Sequence, residues 1–174
     1  MLYIVRHGQT DLNKLKIYGG RIDSSLNESG IEDAKKAYLK LKNIKFDVVI
    51  SSPYKRALET AKIITNHDIF TDDRIMERDN GELEGKTKDY LPNDFDFNNP
   101  NEHRFNVENI NDFRNRINDF LNDILKKYSN KNVLIVTHAG VMIYIKAFFE
   151  GEPKDNNYLS YKPKNGEILI YDVL

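Results

Sequence analysis

The chain has no cysteine. Disulfides, thiolate metal sites and cysteine nucleophiles are therefore excluded. It has no surplus of charge of either sign. Lys and Arg total 26 and Asp and Glu 27, for a formal net charge of −1. Generic nucleic-acid binding needs a basic excess over the phosphates, so nucleic acid is not an expected partner. No apolar run approaches the roughly 20 residues of a membrane span, so a membrane is not expected either. A leader pattern is missing too: Met1 runs straight into Leu2-Tyr3-Ile4-Val5, which reads as a strand. No repeat, linker or compositional break divides the 174 residues. One domain over 1–174 is expected, burying about two-thirds of its unfolded surface. The expectation is a soluble cytoplasmic protein, with a homodimer left open. None of this separates an enzyme from a binder.

What is present alternates between two patterns. Short apolar runs with β-branched members occur at 2–5, 46–51 and 132–137, with weaker ones at 69–71 and 167–173. Such runs read as buried strands of a largely parallel sheet. Between them lie segments with helical spacing. Ile31, Ala34, Tyr38 and Leu41 follow Asn27, a plausible N-cap. Ala57, Leu58, Ala61 and Ile64 follow Pro53, which suits a helix start. A helix over 107–128 would carry Ile110, Phe113, Ile117, Phe120, Leu121 and Ile124 on one face, and 141–149 is strongly apolar. The stretch 10–23 reads as loop after a short helical turn. The stretch 86–109 is rich in Asn, Asp and Pro, with Tyr90, Phe95, Phe97 and Phe105 scattered through it. It is a long loop, and long loops are often functional. Strands alternating with helices give an α/β fold class.

In open α/β sheets the site lies outside the carboxyl ends of the strands. There the chain delivers Arg6-His7-Gly8, then Ser51-Ser52-Pro53 with Arg56 one turn on, then His138-Ala139-Gly140 at a helix start. Two histidines and two arginines would converge on one crevice. Two guanidinium charges repel a dication, so no metal cage is expected. They suit an anion with several oxygens, that is, phosphate. The helix start after His138 adds N–H donors. Singly, each residue has a bland reading as a capped imidazole or a surface-packed arginine stem. Their shared position at strand ends carries the case. His67 and His103 lie outside these segments and read as solvated.

Four blocks carry a resemblance. They are LYIVRHGQTDLN, SSPYKRALETA, RIMERDNGELEGKT and VLIVTHAGV, in that order along the chain. The chain resembles the histidine phosphatase superfamily, in its phosphoglycerate-mutase-like branch. The resemblance implies a three-layer α/β/α sandwich, mostly parallel with one antiparallel strand. It implies that His7 is the nucleophile, becoming a phosphohistidine. It implies that Arg6, Arg56 and His138 surround the phosphoryl oxygens with Asn13 and the Ala139 backbone, and that Gln9 and Thr10 border the pocket. Glu77 would be the proton donor. Glu82 and Glu84 lie nearby, and Glu84 matches a position that supports the loop.

The chemistry agrees with those roles. A histidine attacks phosphorus only with one ring nitrogen unprotonated, and neighbouring guanidiniums disfavour the imidazolium. The same cations stabilise charge on the equatorial oxygens, so neither a metal nor another cofactor is expected.

The resemblance further implies that 86–109 sets specificity. The loop aromatics would contact a leaving group or form the loop's own core. A Gly-Glu-Ser-like element is usual ahead of the long helix. Here the stretch reads Val107-Glu108-Asn109, which keeps Glu108 and otherwise departs from that element. Family mutases carry longer insertions that close the site against water. An open site hydrolyses its phosphohistidine. The expected activity is metal-independent hydrolysis of small phosphomonoesters, a histidine acid-phosphatase-type phosphomonoesterase acting on a phosphorylated metabolite. A phosphoglycerate mutase, a non-catalytic phosphate-binding module and a metal hydrolase are the rival readings.

Overall fold

The structure, a computed structural model, describes residues 1–173. Five strands form one sheet: β1 (Leu2–Arg6), β2 (Val48–Ser51), β3 (Phe70–Thr71), β4 (Val133–Thr137) and β5 (Ile168–Tyr171). The order is β3-β2-β4-β1-β5. β1 pairs parallel with β4, β4 with β2 and β2 with β3, while β5 runs antiparallel to β1. Five helices connect them: α1 (Asp11–Lys14), α2 (Glu28–Leu41), α3 (Lys55–Ile64), α4 (Ile110–Lys127) and α5 (Ala139–Glu150).

β1, β2 and β4 are apolar on both faces because both faces are covered. Leu2, Ile4, Ile50, Val133 and Ile135 point into a core with Phe113, Phe120 and Leu121 of α4 and Met142 and Ile145 of α5. Tyr3, Val5, Val49, Leu134 and Val136 point the other way, onto Ala37 and Leu41 of α2 and Ala57 and Ala61 of α3. The two-residue alternation of each strand thus sorts one apolar run into two cores, and the α/β/α sandwich follows.

α4 buries the face its spacing predicts: Ile110, Phe113, Ile117, Phe120, Leu121 and Ile124. α2 does not. Ile31 is 39% exposed and Tyr38 42%, whereas Gly30, Ala34, Ala37 and Leu41 are buried. The face is small-sided because α2 lies tightly against the chain after β1. A Cβ on Gly30 would meet the Gln9 backbone, and one on Gly8 would meet the Gly30 carbonyl. Asn27 fixes this junction. Its side chain caps the Gly30 N–H at 2.9 Å, and its Nδ2 donates to Gln9 Oε1 and Asp11 Oδ1 at 3.2 Å each. α3 starts at Lys55 with Tyr54 as its cap residue, two positions after Pro53. The loop at 86–109 contains 3-10 turns at Lys88–Tyr90 and Arg104–Asn106.

Candidate active site

β1 and β4 are parallel neighbours, with Arg6 in register with Thr137. Their next residues, His7 and His138, therefore emerge side by side, with ring centroids 5.1 Å apart. β2 lies on the other side of β4 and leads through Ser52 to Arg56 in the first turn of α3. Arg6, His7, Arg56 and His138 are all buried.

His7 Nδ1 lies 2.7 Å from the Gly8 carbonyl oxygen. A carbonyl oxygen only accepts, so Nδ1 carries the proton and Nε2 keeps its lone pair. Burial, followed by the charges of Arg56 and Arg6, holds the His7 pKa well below the ordinary histidine value; the Gly8 bond opposes them. His138 is in the other tautomer. Arg56 Nε donates to its Nδ1 at 3.3 Å, and its Nε2 donates to Ser52 Oγ at 2.7 Å. Its pKa is also pushed well down, first by burial and then by Arg56, His7 and Arg6. Both of its ring nitrogens are engaged, so contact with a phosphoryl oxygen requires it to exchange a partner.

The arginines are aimed by main-chain carbonyls. Arg56 donates from Nη1 to Ile22 at 2.7 Å and from Nη2 to Gly20 at 2.8 Å. Arg6 donates from Nη1 to Pro163 at 2.8 Å. The Arg6 Nε is buried with no partner among the described residues. Leaving such a donor unpaired is costly, so it marks a place for an acceptor oxygen. The Gly8 N–H is anchored on Thr60 Oγ1 at 3.0 Å.

Asn13 joins the same rim. Its Oδ1 accepts from the Thr10 N–H and from Asn165 Nδ2, at 3.2 Å each, which turns its NH2 end to the free side. Thr10 is buried as the cap of α1, its hydroxyl accepting the Asn13 N–H at 3.3 Å. Gln9 donates its N–H to Asp33 Oδ2 at 3.2 Å. The Ala139 N–H opens α5, where helix geometry provides no internal partner.

Glu77 sits across from this cradle. Its Oε2 accepts the Gly140 N–H at 3.1 Å and its Oε1 the Arg78 N–H at 3.0 Å. Its charge acts favourably on both Arg6 and Arg56. The neighbouring carboxylates do other things. Glu84 Oε1 holds the Arg21 and Asn80 N–H groups at 2.7 and 3.2 Å, and Glu82 accepts from Asn106 Nδ2 at 2.7 Å. His67 and His103 are exposed.

Three contributors carried no signal of their own in the sequence. Thr60 lies inside the second block but looks like an ordinary residue of α3. Asn165 and Lys162 come from the irregular segment before β5. The Lys162 ammonium faces that of Lys88 close to Arg6 and Glu77, and its pKa is held down to about 8 by desolvation, then by Lys88 and Arg6. Among the described residues neither lysine pairs with a carboxylate. The loop aromatics pack on one another: Phe95 on Phe97 and Phe105, at 4.8 and 5.6 Å between centroids, and Tyr90 on Phe105 at 6.0 Å.

Fold and site together define an α/β protein that gathers two neutral imidazoles and two guanidiniums at the carboxyl ends of its parallel strands. The family description "histidine phosphatase superfamily (branch 1)" matches residues 2–173. The chain belongs to that superfamily. It is 33% identical over 167 residues to "Putative phosphoserine phosphatase 2" of Hydrogenobacter thermophilus, covering 89% of this chain and 81% of that protein. It is 32% identical over 160 residues to "Uncharacterized phosphatase PhoE" of Bacillus subtilis, covering 87% and 78%. A crystal structure of a mutant phosphoserine phosphatase from Entamoeba histolytica in complex with phosphoserine superposes with a TM-score of 0.84, at 27% identity, covering 96% of this chain and 87% of that one.

Proposed function

We propose that the protein is a metal-independent phosphomonoesterase that works through a phosphohistidine on His7. The observation that carries this is the His7 ring: neutral, with Nδ1 donating to Gly8 and Nε2 free, beside Arg6 and Arg56. In the proposed reaction the Nε2 lone pair attacks phosphorus. Arg6 Nε, Arg56 and Asn13 Nδ2 stabilise the equatorial oxygens. The phosphorus–oxygen bond to the leaving group breaks, and Glu77 gives that oxygen its proton. Water then attacks phosphorus, Glu77 takes a proton from it, and the phosphorus–nitrogen bond returns its electron pair to Nε2. Throughout, the Gly8 carbonyl holds the Nδ1–H and supports the positive charge of the phosphorylated ring. His138 anchors Arg56 through Nδ1 and walls the site opposite His7.

Two observations support a substrate with an acidic leaving group. Lys88 and Lys162 lie close enough for Lys88 to lower the Lys162 pKa, and among the described residues neither forms a salt bridge. Phosphoserine, moreover, is named for two of the relatives above. The aromatics of 86–109 pack on one another as the segment's own core. The segment carries none of the longer insertions that close a mutase site against water, which supports hydrolysis over mutase transfer.

The test is phosphate release from L-phosphoserine, 3-phosphoglycerate and p-nitrophenyl phosphate in excess EDTA, beside His7→Ala. The wild type should hydrolyse all three, with higher kcat/KM on the two carboxylates, and His7→Ala none. Release no greater than the His7→Ala background overturns the phosphatase. Accumulation of 2-phosphoglycerate from 3-phosphoglycerate and a bisphosphate primer supports a mutase instead. Loss of activity in EDTA removes metal independence.

A further inference from the structure

Glu77 has no strand or long helix of its own. It follows the 3-10 turn Asp73–Ile75 in an irregular stretch. Its carboxylate nevertheless has to meet the start of α5 within hydrogen-bond distance. Something must hold this backbone. Besides Thr137 of β4, whose hydroxyl donates to the Ile75 carbonyl at 2.8 Å, the groups that do so come from α4 and the segment just ahead of it.

Arg116 lies in α4, largely buried, with its side chain 17% exposed; that of Glu108 is 13% exposed. The Arg116 Nε donates to Glu108 Oε1 at 2.8 Å and Nη2 to Glu108 Oε2 at 3.0 Å. Nη1 donates to the Arg74 and Met76 carbonyls at 2.6 and 2.8 Å, and Nη2 also to the Glu77 carbonyl at 3.2 Å. A guanidinium has five N–H donors, and all are committed. Nothing is left for a ligand, so this arginine does not bind substrate. Its plane packs over Phe113, 4.6 Å from the ring centre. Glu108 takes hold from the far side, where its Oε2 accepts the Asp79 N–H at 3.1 Å and its N–H donates to the Asp79 carbonyl at 2.9 Å. The main chain is therefore gripped on both sides of Glu77.

We propose that the Arg116–Glu108 pair is a positioning device for Glu77, fixing the carboxylate over the Gly140 N–H and the leaving-group side of the site. This rests on the reading of Glu77 as the proton donor. It also gives Glu108 a role. In the Val107-Glu108-Asn109 element its carboxylate turns to Arg116 rather than to a substrate.

A lysine cannot reproduce the clamp, because an ammonium has three donors from one point rather than a planar fork. The experiment compares Arg116→Lys, Glu108→Gln and Glu77→Gln by kcat/KM on L-phosphoserine and p-nitrophenyl phosphate, with inhibition by inorganic phosphate. Serine's alkoxide needs a proton to depart; p-nitrophenolate does not. Glu77→Gln should lose roughly 100-fold on phosphoserine. Arg116→Lys should lose about tenfold there, with at most about a twofold change on p-nitrophenyl phosphate and in phosphate inhibition. Glu108→Gln keeps the shape of the pair and decides the matter if Arg116→Lys does not fold. An equal fall on both substrates, or no fall, for the clamp variants while Glu77→Gln stays selective overturns the positioning role alone. No selectivity in Glu77→Gln overturns the proton donor, and the positioning role with it.

Discussion

The hydrogen bond from His7 Nδ1 to the Gly8 carbonyl and the bond from Arg56 Nε to His138 Nδ1 set the two rings in opposite tautomers, while burial and the neighbouring arginines keep both neutral. This has a thermodynamic consequence. Both pKa values lie well below the ordinary histidine value in the folded protein, with burial the largest cause. Once unfolded, both rings titrate near 6.5, so the unfolded chain binds more protons as pH falls. The stability from keeping them neutral is complete above that value. It is lost as pH drops through it toward the depressed folded values. The slope is about 1.4 kcal/mol per pH unit for each ring. Urea unfolding between roughly pH 6.5 and 5.5, in phosphate-free buffer, should show His7→Gln losing about 1 kcal/mol per pH unit of slope, since the unfolded ring goes from half to about nine-tenths protonated over that window. An unchanged slope would mean that His7 is not held neutral. Arg6, His7, Arg56 and His138 were legible because strand ends place them by simple topology. Asn165, Lys162 and the Pro163 carbonyl were not, because they reach the site from an irregular segment with no periodicity to read.

Among the elements, α4 and α2 differ in how they pack. α4 fills a wide gap over the sheet, so its large apolar residues are its buried face and the sequence spacing identifies it. α2 lies so close to the chain after β1 that its first turns bury only Gly30, Ala34 and Ala37, with Leu41 buried at its end. Spacing selected Ala34 and Leu41, which are buried, together with Ile31 and Tyr38, which are exposed. Gly30→Ala tests this reading. Its Cβ would meet the Gln9 backbone, which cannot rotate away as a side chain would. The expected cost is about 2 kcal/mol, or a Tm lower by roughly 4–8 °C. A neutral or stabilising result would show that α2 has room to shift. The same junction carries Gly8 and Gln9, so the packing that misled the helix reading also sets the loop that holds His7.

Across the whole molecule, one alternation rule builds two cores and leaves the carboxyl ends of the parallel strands to form the site. The apolar runs made the sheet legible, and the four blocks named its catalytic candidates in order. The interior of 86–109 was not legible, because a small aromatic cluster and a leaving-group contact use the same residues in sequence. Packing of Phe95 on Phe97 and Phe105 is visible only in three dimensions. The account depends most on covalent transfer to His7. It is tested most directly by rapid alkaline quenching during turnover of p-nitrophenyl phosphate, followed by mass spectrometry of the His7 peptide. The account predicts one added phosphoryl group on His7, absent in His7→Ala and enriched when Glu77→Gln slows its hydrolysis. Turnover at full rate with that peptide unmodified, or a phosphoryl group carried on any other residue, would contradict it.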